Sequence, residues 1–304
     1  MNAIIETKGL TQVYGELKAL NNLNLVVPEG SVFALLGPNG AGKTTALKAM
    51  MNLLAPTEGE VRVLGVDATR LGPEQFQQIG YISENQDLPL WMTVRQFMDY
   101  CAPLYPSWDE AFCQQLLWDF QLPAKRKLKH LSRGMRMKAA LAASLAYHPK
   151  LLVLDEPFSG LDPLSRDELI AGMIAVSERD KWTVLISSHD IQEVERMVDW
   201  VGILMDGMLR VCEPIAKLQE RFRRVQVSLG AVWQSSEFPP LVASAEWLDY
   251  QSSGHAVSFV ETNHTEGSEG EIRAVLPDSG EIEFSPLSLR EIFVALNLKK
   301  PTKA

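Results

Sequence analysis

The segment Gly37-Pro38-Asn39-Gly40-Ala41-Gly42-Lys43-Thr44 constrains the fold more than any other part of the chain. It satisfies the pattern G-x-x-x-x-G-K-[S/T]. A compact apolar run, Ser31 to Leu36 (SVFALL), precedes it, and TTALKAMMNLL follows with apolar residues at helical spacing. The order this predicts is strand, glycine-rich loop, helix. Glycines in such a loop let backbone N–H groups turn inward around phosphates. Lys43 supplies a point charge, the Thr44 hydroxyl can ligate Mg²⁺, and Thr45 extends the cradle into the helix. The segment implies binding of ATP or GTP and leaves open what the energy is used for.

A second apolar run, Leu151 to Leu154, ends in Asp155-Glu156-Pro157, and a third, Thr183 to Ser187 (TVLIS), follows downstream. Helical patterns lie between these runs, as an α/β core with a parallel sheet requires. Acids at the carboxyl end of such a strand stand beside the phosphate loop, where ligands bind. Asp155 is expected to hold the Mg²⁺ shell and Glu156 to polarise an attacking water as general base.

Ahead of this strand, Leu131-Ser132-Arg133-Gly134-Met135 opens an Ala-rich helical run ending before Pro149. Ser132 is a good N-cap, and Gly134 is expected to keep the backbone accessible. This order of segments resembles the ATP-binding cassette (ABC) family, whose signature usually reads LSGGQ. Leu, Ser and the second Gly are kept here. Arg133 and Met135 depart, in the form that resembles many exporter-type cassettes. The resemblance spans about the first 220 residues. Ser159-Gly160-Leu161-Asp162 resembles the family's D-loop, which crosses to a partner subunit, so Asp162 is expected near the partner's nucleotide. Ser188-His189-Asp190 resembles the switch segment, in which His189 contacts the γ-phosphate. Tyr14 matches the aromatic that stacks on adenine. In Gly80-Tyr-Ile-Ser-Glu-Asn-Gln86, Glu84 stands where the family usually carries the Q-loop Gln and would complete Mg²⁺ ligation; Gln86 is the alternative.

The resemblance implies an α/β fold: a P-loop NTPase core of the ABC ATPase type with an inserted helical subdomain at about 88–148. Two ATP molecules would be sandwiched between two cassettes, with Ser132 and Gly134 of one facing the phosphate loop of the other. A homo- or heterodimer, transmembrane permease subunits, and a position at the cytoplasmic face of the cell membrane follow. ATP hydrolysis powering export is the leading expectation. A membrane-linked mechanical or signalling ATPase, or a soluble regulatory one, is the alternative. Translation-type cassettes carry two nucleotide-binding units and repair-type ones long coiled coils; neither a second phosphate loop nor sustained heptads occurs in the sequence.

The rest of the sequence bounds these readings. Hydrophobic residues make up 46% and charged ones 22% of 304 residues, as in ordinary globular chains. A net charge of -9 argues against a general affinity for nucleic acid. The basic run Lys125, Arg126, Lys127 and Lys129 reads as a solvated loop. Cys101, Cys113 and Cys212 lack pairing logic and read as reduced thiols. No signal peptide is indicated, and no apolar run approaches the ~18–20 residues of a membrane span. From Leu88 to His130 aromatic residues cluster (Trp91, Tyr100, Tyr105, Trp108, Trp118) and Pro103, Pro106 and Pro123 break the helical periodicity. Near Arg223 the texture changes: VQVSL (Val225 to Leu229) and AVSFV (Ala256 to Val260) alternate, and turn-rich clusters, HTEGSEG and PDSG, follow. We expect one nucleotide-binding domain over 1–222 and a small β-rich accessory domain over 223–304, ending in a helix from Leu287 to Leu298. His255 and His264 fall in a polar setting and are not expected to bind metal.

Overall fold

The computed structural model describes residues 2–179, 182–230 and 247–297. The chain divides into two units, Met1–Cys212 and Glu213–Ala304. This division falls ahead of the texture change at Arg223, for a local reason. The helix Ile215–Arg221 ends in a guanidinium that holds Glu213 at 2.5 Å and donates to the Thr262 carbonyl at 2.6 Å, so it is fastened within the second unit.

The first unit is built around a six-stranded sheet. Its order is Met208–Pro214, Trp200–Met205, Val32–Leu36, Thr183–Ser188, Leu151–Asp155, Ile79–Ile82. The last five strands pair in parallel. Such strands are covered on both faces, which explains why LLVLD and TVLISS are buried at every position instead of alternating. A second sheet, antiparallel, is formed by Ala3–Tyr14, Leu17–Leu23, Val26–Pro28, Glu58–Val63 and Val66–Asp67. Leu10, Leu20 and Val63 from this sheet close on Phe33, Leu35 and Leu47 in one core. The helix Lys43–Met50 contributes Ala46, Leu47 and Met50 to that core, so the phosphate loop is clamped between the two sheets.

The stretch expected as a helical subdomain carries the helices Val94–Cys101, Glu110–Asp119 and Arg133–Leu145. Each starts where its sequence offers a cap. Thr93 and Gln96 form a reciprocal capping box, Asp109 accepts from the Phe112 N–H, and Ser132 accepts from the Met135 N–H. Pro103 sits in the short turn Ala102–Leu104 that ends the first of them. The aromatics divide between two environments. Tyr105 stacks on Tyr147 with ring centroids 3.7 Å apart, whereas Trp91, Tyr100 and Trp118 are exposed.

The second unit carries an antiparallel sheet in the order Trp247–Ser253, Ala256–Glu261, Arg223–Leu229, Ser279–Pro286. Val225, Val227, Phe259 and Trp247 pack on Ile272 and Leu276, with Trp247 and Phe259 stacked at 4.0 Å. Part of the Gly- and Ser-rich cluster expected as a connection is helical: Ser268–Val275 forms because Ser268 and Ile272 are buried and the Ser268 hydroxyl accepts from the Thr265 N–H. Burial of Ile272 outweighs the helix-weakening Gly270. The terminal helix is Leu289–Asn297. Ser288 and Glu291 cap it reciprocally, which places its start after Leu287; Leu298 lies outside the described residues.

Candidate nucleotide site

The site is assembled at the carboxyl ends of three adjacent strands, Val32–Leu36, Leu151–Asp155 and Thr183–Ser188. The first feeds the glycine loop. Gly40 and Gly42 have φ of 83° and 103°, a region open to glycine, and the Ala41 N–H closes a turn on the Pro38 carbonyl at 3.1 Å. Gly42 is the N-cap of Lys43–Met50 and has no side chain to cap it, which leaves the first turn able to receive an anion through its N–H groups. Lys43 folds back over the loop. Its Nζ donates to the carbonyls of Gly37 (2.8 Å) and Pro38 (3.3 Å) and lies 3.0 Å from Glu156 Oε1.

The two acids at the end of the second strand would point to opposite faces of an extended chain. Glu156 has φ of +49°, so the chain turns there and both carboxylates reach the phosphate-loop helix. Asp155 Oδ1 accepts from Thr44 Oγ1 at 3.2 Å and from Ser187 Oγ at 2.6 Å. Burial pushes the Asp155 carboxyl above the ordinary aspartate value, against the pull of these two hydrogen bonds. Glu156 lies between opposite partners: Lys43 on Oε1, and on Oε2 the His189 ring, whose Nδ1 is 2.7 Å away. The Ser187 hydroxyl also receives the Glu156 N–H at 3.0 Å and so braces both acids.

These groups line or support a cavity of about 690 Å³. Of the residues expected from sequence, Tyr14, Asn39, Gly40, Gly42, Lys43, Thr44, Thr45, Glu84, Glu156 and His189 line it. Gly37, Pro38, Ala41 and Asp155 do not line it; the first two hold Lys43 through their carbonyls, and Asp155 holds Thr44. Glu84 accepts from Ser159 Oγ at 3.3 Å, while Gln86 turns back to accept from Ser83 and lies outside the cavity. Ser132, Gly134 and Asp162 lie elsewhere in the unit. Asp162 accepts from the Ser165 N–H at 3.0 Å and its hydroxyl at 2.6 Å, and these bonds hold its carboxyl below the usual range. Gly134 is buried and not accessible as expected: a Cβ there would stand 2.8 Å from the Cβ of Ser165, so glycine serves close packing.

Three contributions escape the sequence reading. Ser187 is one; its signal is only a hydroxyl at the end of an apolar strand, and its role depends on the parallel register that pairs it with Asp155. The others are Lys18 and Ala19 on one hairpin and Asp206-Gly207 on another, all lining the cavity. Asp-Gly between apolar runs is a readable turn signal. Its approach to the phosphate loop, where the Gly207 N–H donates to the Ala41 carbonyl at 3.2 Å, is tertiary.

Comparison with known proteins places this geometry. The family model described as ABC transporter matches residues 20–159. The chain is 35% identical over 226 residues to the bacitracin transport ATP-binding protein BcrA of Enterococcus faecalis, covering 74% of this chain and 73% of that protein. It is 29% identical over 304 residues to the BcrA of Bacillus licheniformis, covering 97% and 98%. A dimeric ATP-binding cassette in a post-hydrolysis state bound to ADP and Pi superposes with a TM-score of 0.61 at 26% identity, covering 69% of this chain and 98% of that one. The fold is thus the P-loop NTPase fold of the ABC ATPases, and the chain belongs to the ABC transporter family as an ATP-binding, ATP-hydrolysing subunit.

Proposed function

We propose that this chain powers export through separate transmembrane subunits, at the cytoplasmic face of a membrane, by closing on ATP as a cassette dimer. The observation that carries the chemistry is the Lys43–Glu156–His189 chain of contacts beneath the glycine loop. The export reading is supported by the BcrA relatives, which are named as bacitracin transport ATP-binding proteins. Among the described residues no helix is long and apolar enough to cross a membrane.

In this reading the N–H groups of residues 40–45 and the Lys43 ammonium receive the phosphates, and Lys43 exchanges Glu156 for phosphate oxygen. Glu156, thus released, accepts a proton from the attacking water, while His189 holds its carboxylate and contacts the γ-phosphate. Thr44 Oγ1 and Asp155 Oδ1, together with Glu84, fit Mg²⁺, which takes few protein oxygens and completes its shell with phosphate and water. Mg²⁺ would neutralise charge on the β- and γ-phosphate oxygens. Among the described residues no cluster of three His, Cys, Asp or Glu could hold a metal by itself, in keeping with a shell shared with the nucleotide. Ser132 is exposed and lies outside its own chain's cavity, which suits a composite site where it faces a second cassette's nucleotide, with Gly134 packed against Ser165. Residues 213–304 serve as an accessory domain.

Tyr14 is half-exposed at the cavity rim, suited to stack on adenine. Tyr14→Ala should raise KM for ATP by up to about tenfold, since such ring contacts are worth about 0.5–1.5 kcal/mol, and leave kcat unchanged. The broader reading is tested by purifying the chain from native membranes under mild detergent. A multi-span protein should accompany it and stimulate its ATPase; a chain recovered alone, with full basal activity, would refute the export assignment.

A further inference from the structure

His189 leaves the sheet immediately after the strand Thr183–Ser188, so the ladder does not fix its backbone. The Ser188 side chain does. Its Oγ accepts from the Asp190 N–H at 3.0 Å and lies 2.9 Å from Glu193 Oε2 and 3.0 Å from the Asp190 carbonyl. A hydroxyl has one proton to give, and the carboxylate is the stronger acceptor. Glu193 is 4% exposed and ends the short turn Ile191–Glu193 that follows His189. Its other oxygen, Oε1, lies 3.3 Å from Nη2 of Arg166, on the helix Pro163–Arg179. Burial pushes the Glu193 carboxyl upward, against the Ser188 hydrogen bond and the charges of Arg166 and His189. Arg166 Nε is buried and has no hydrogen-bond partner among the described residues.

A buried ion pair contributes little net stability relative to apolar packing. Neither member lines the nucleotide cavity. What the pair does accomplish is geometric. Arg166 holds Glu193, Glu193 holds Ser188, and Ser188 bends the chain back on Asp190, with His189 between them at the apex. The His189 backbone N–H and ring Nδ1 both meet Glu156 Oε2, at 3.4 and 2.7 Å. That double contact requires the turn to be held.

We propose that Arg166 and Glu193 are positioning residues for hydrolysis, fixing through Ser188 the turn that sets the His189 imidazole against Glu156. The inference rests on the reading of His189 and Glu156 as the reacting pair. In full-length protein, Glu193→Gln and Arg166→Met should each lower kcat about 10- to 100-fold, the effect of small misplacement in an active site, with KM for ATP unchanged. Arg166→Lys should restore much of the loss. Ser188→Ala, which keeps both charges paired but cuts the link, should reproduce the fall without the destabilisation an unpaired charge brings. Spectra of histidine-labelled protein should show the His189 ring resonances displaced in Glu193→Gln and Ser188→Ala, with those of His130 and His255 in place. Parental kcat in Ser188→Ala and Glu193→Gln would overturn the proposal, as would a fall in kcat with His189 unmoved. His189→Ala separates the two levels. Full activity there would refute the underlying assignment of His189, whereas its loss alongside active Glu193→Gln would refute only the positioning role.

Discussion

Glu156→Gln should lower kcat by about 10²–10⁴, the usual contribution of a positioned general base, while ATP binds at least as tightly as to the parent. The asymmetry follows from the contacts. Glutamine preserves the side chain's length and an oxygen able to face either Lys43 or His189, and it is no harder to place at the φ of +49° that residue 156 adopts. What it cannot do is accept the proton. It also loses the charge that holds Lys43, which in the parent lies 3.0 Å from a buried carboxylate and must leave it to meet phosphate. Removing that competitor favours the nucleotide-bound state, so the variant should accumulate as an ATP-loaded dimer on size exclusion in the presence of ATP. Phosphate release at the parental rate would refute the assignment of Glu156 as the base. Slow hydrolysis without the dimer would instead refute the composite site.

How much of this was legible beforehand varies with the range of the interaction. The glycine loop, the strand that feeds it and the acids of the neighbouring strand each leave a contiguous mark, because backbone conformation and burial act over a few residues. The helix start at Ser132 is legible for the same reason: a cap is a local hydrogen bond. The bracing of Asp155 by Ser187 is not, since it joins residues on separate strands through their register. Which of Glu84 and Gln86 reaches the cavity could not be read from spacing, because it depends on which side chain the turn at Ser83 captures. The second unit's helix Ser268–Val275 was hidden by composition; Gly and Ser suggest a connection until the sheet supplies a face on which Ile272 is buried. Local chemistry wrote the nucleotide site into the sequence, and tertiary packing decided its supports.

The second large effect falls on the glycine loop itself and separates Gly42, which the pattern G-x-x-x-x-G-K-[S/T] fixes, from Gly40, at one of its open positions. Gly40 and Gly42 both have positive φ, and a Cβ at either incurs about 1–2 kcal/mol of left-handed strain. At Gly40 nothing lies within 4 Å of the added carbon. At Gly42 it would meet the Ala19 carbonyl oxygen at 2.4 Å and Leu20 Cδ2 at 2.8 Å. Neither neighbour can yield cheaply: Ala19 and Leu20 belong to the strand Leu17–Leu23, which is hydrogen-bonded to Ala3–Tyr14, and Leu20 is fully buried in the core. Gly42→Ala should therefore cost about 4 kcal/mol or more, a large part of the ~5–15 kcal/mol that holds a typical domain together. The strand pushed aside carries Leu17 and Lys18 of the cavity wall, so ATP affinity should fall with stability. Gly40→Ala, limited to backbone strain, should lose about 1–2 kcal/mol and stay folded. Urea unfolding of the two variants beside the parent reads the difference directly. Equal losses would mean that the close approach of the hairpin to Gly42 does not limit the loop; a larger loss in Gly42→Ala would show that its glycine is required by packing as well as by φ.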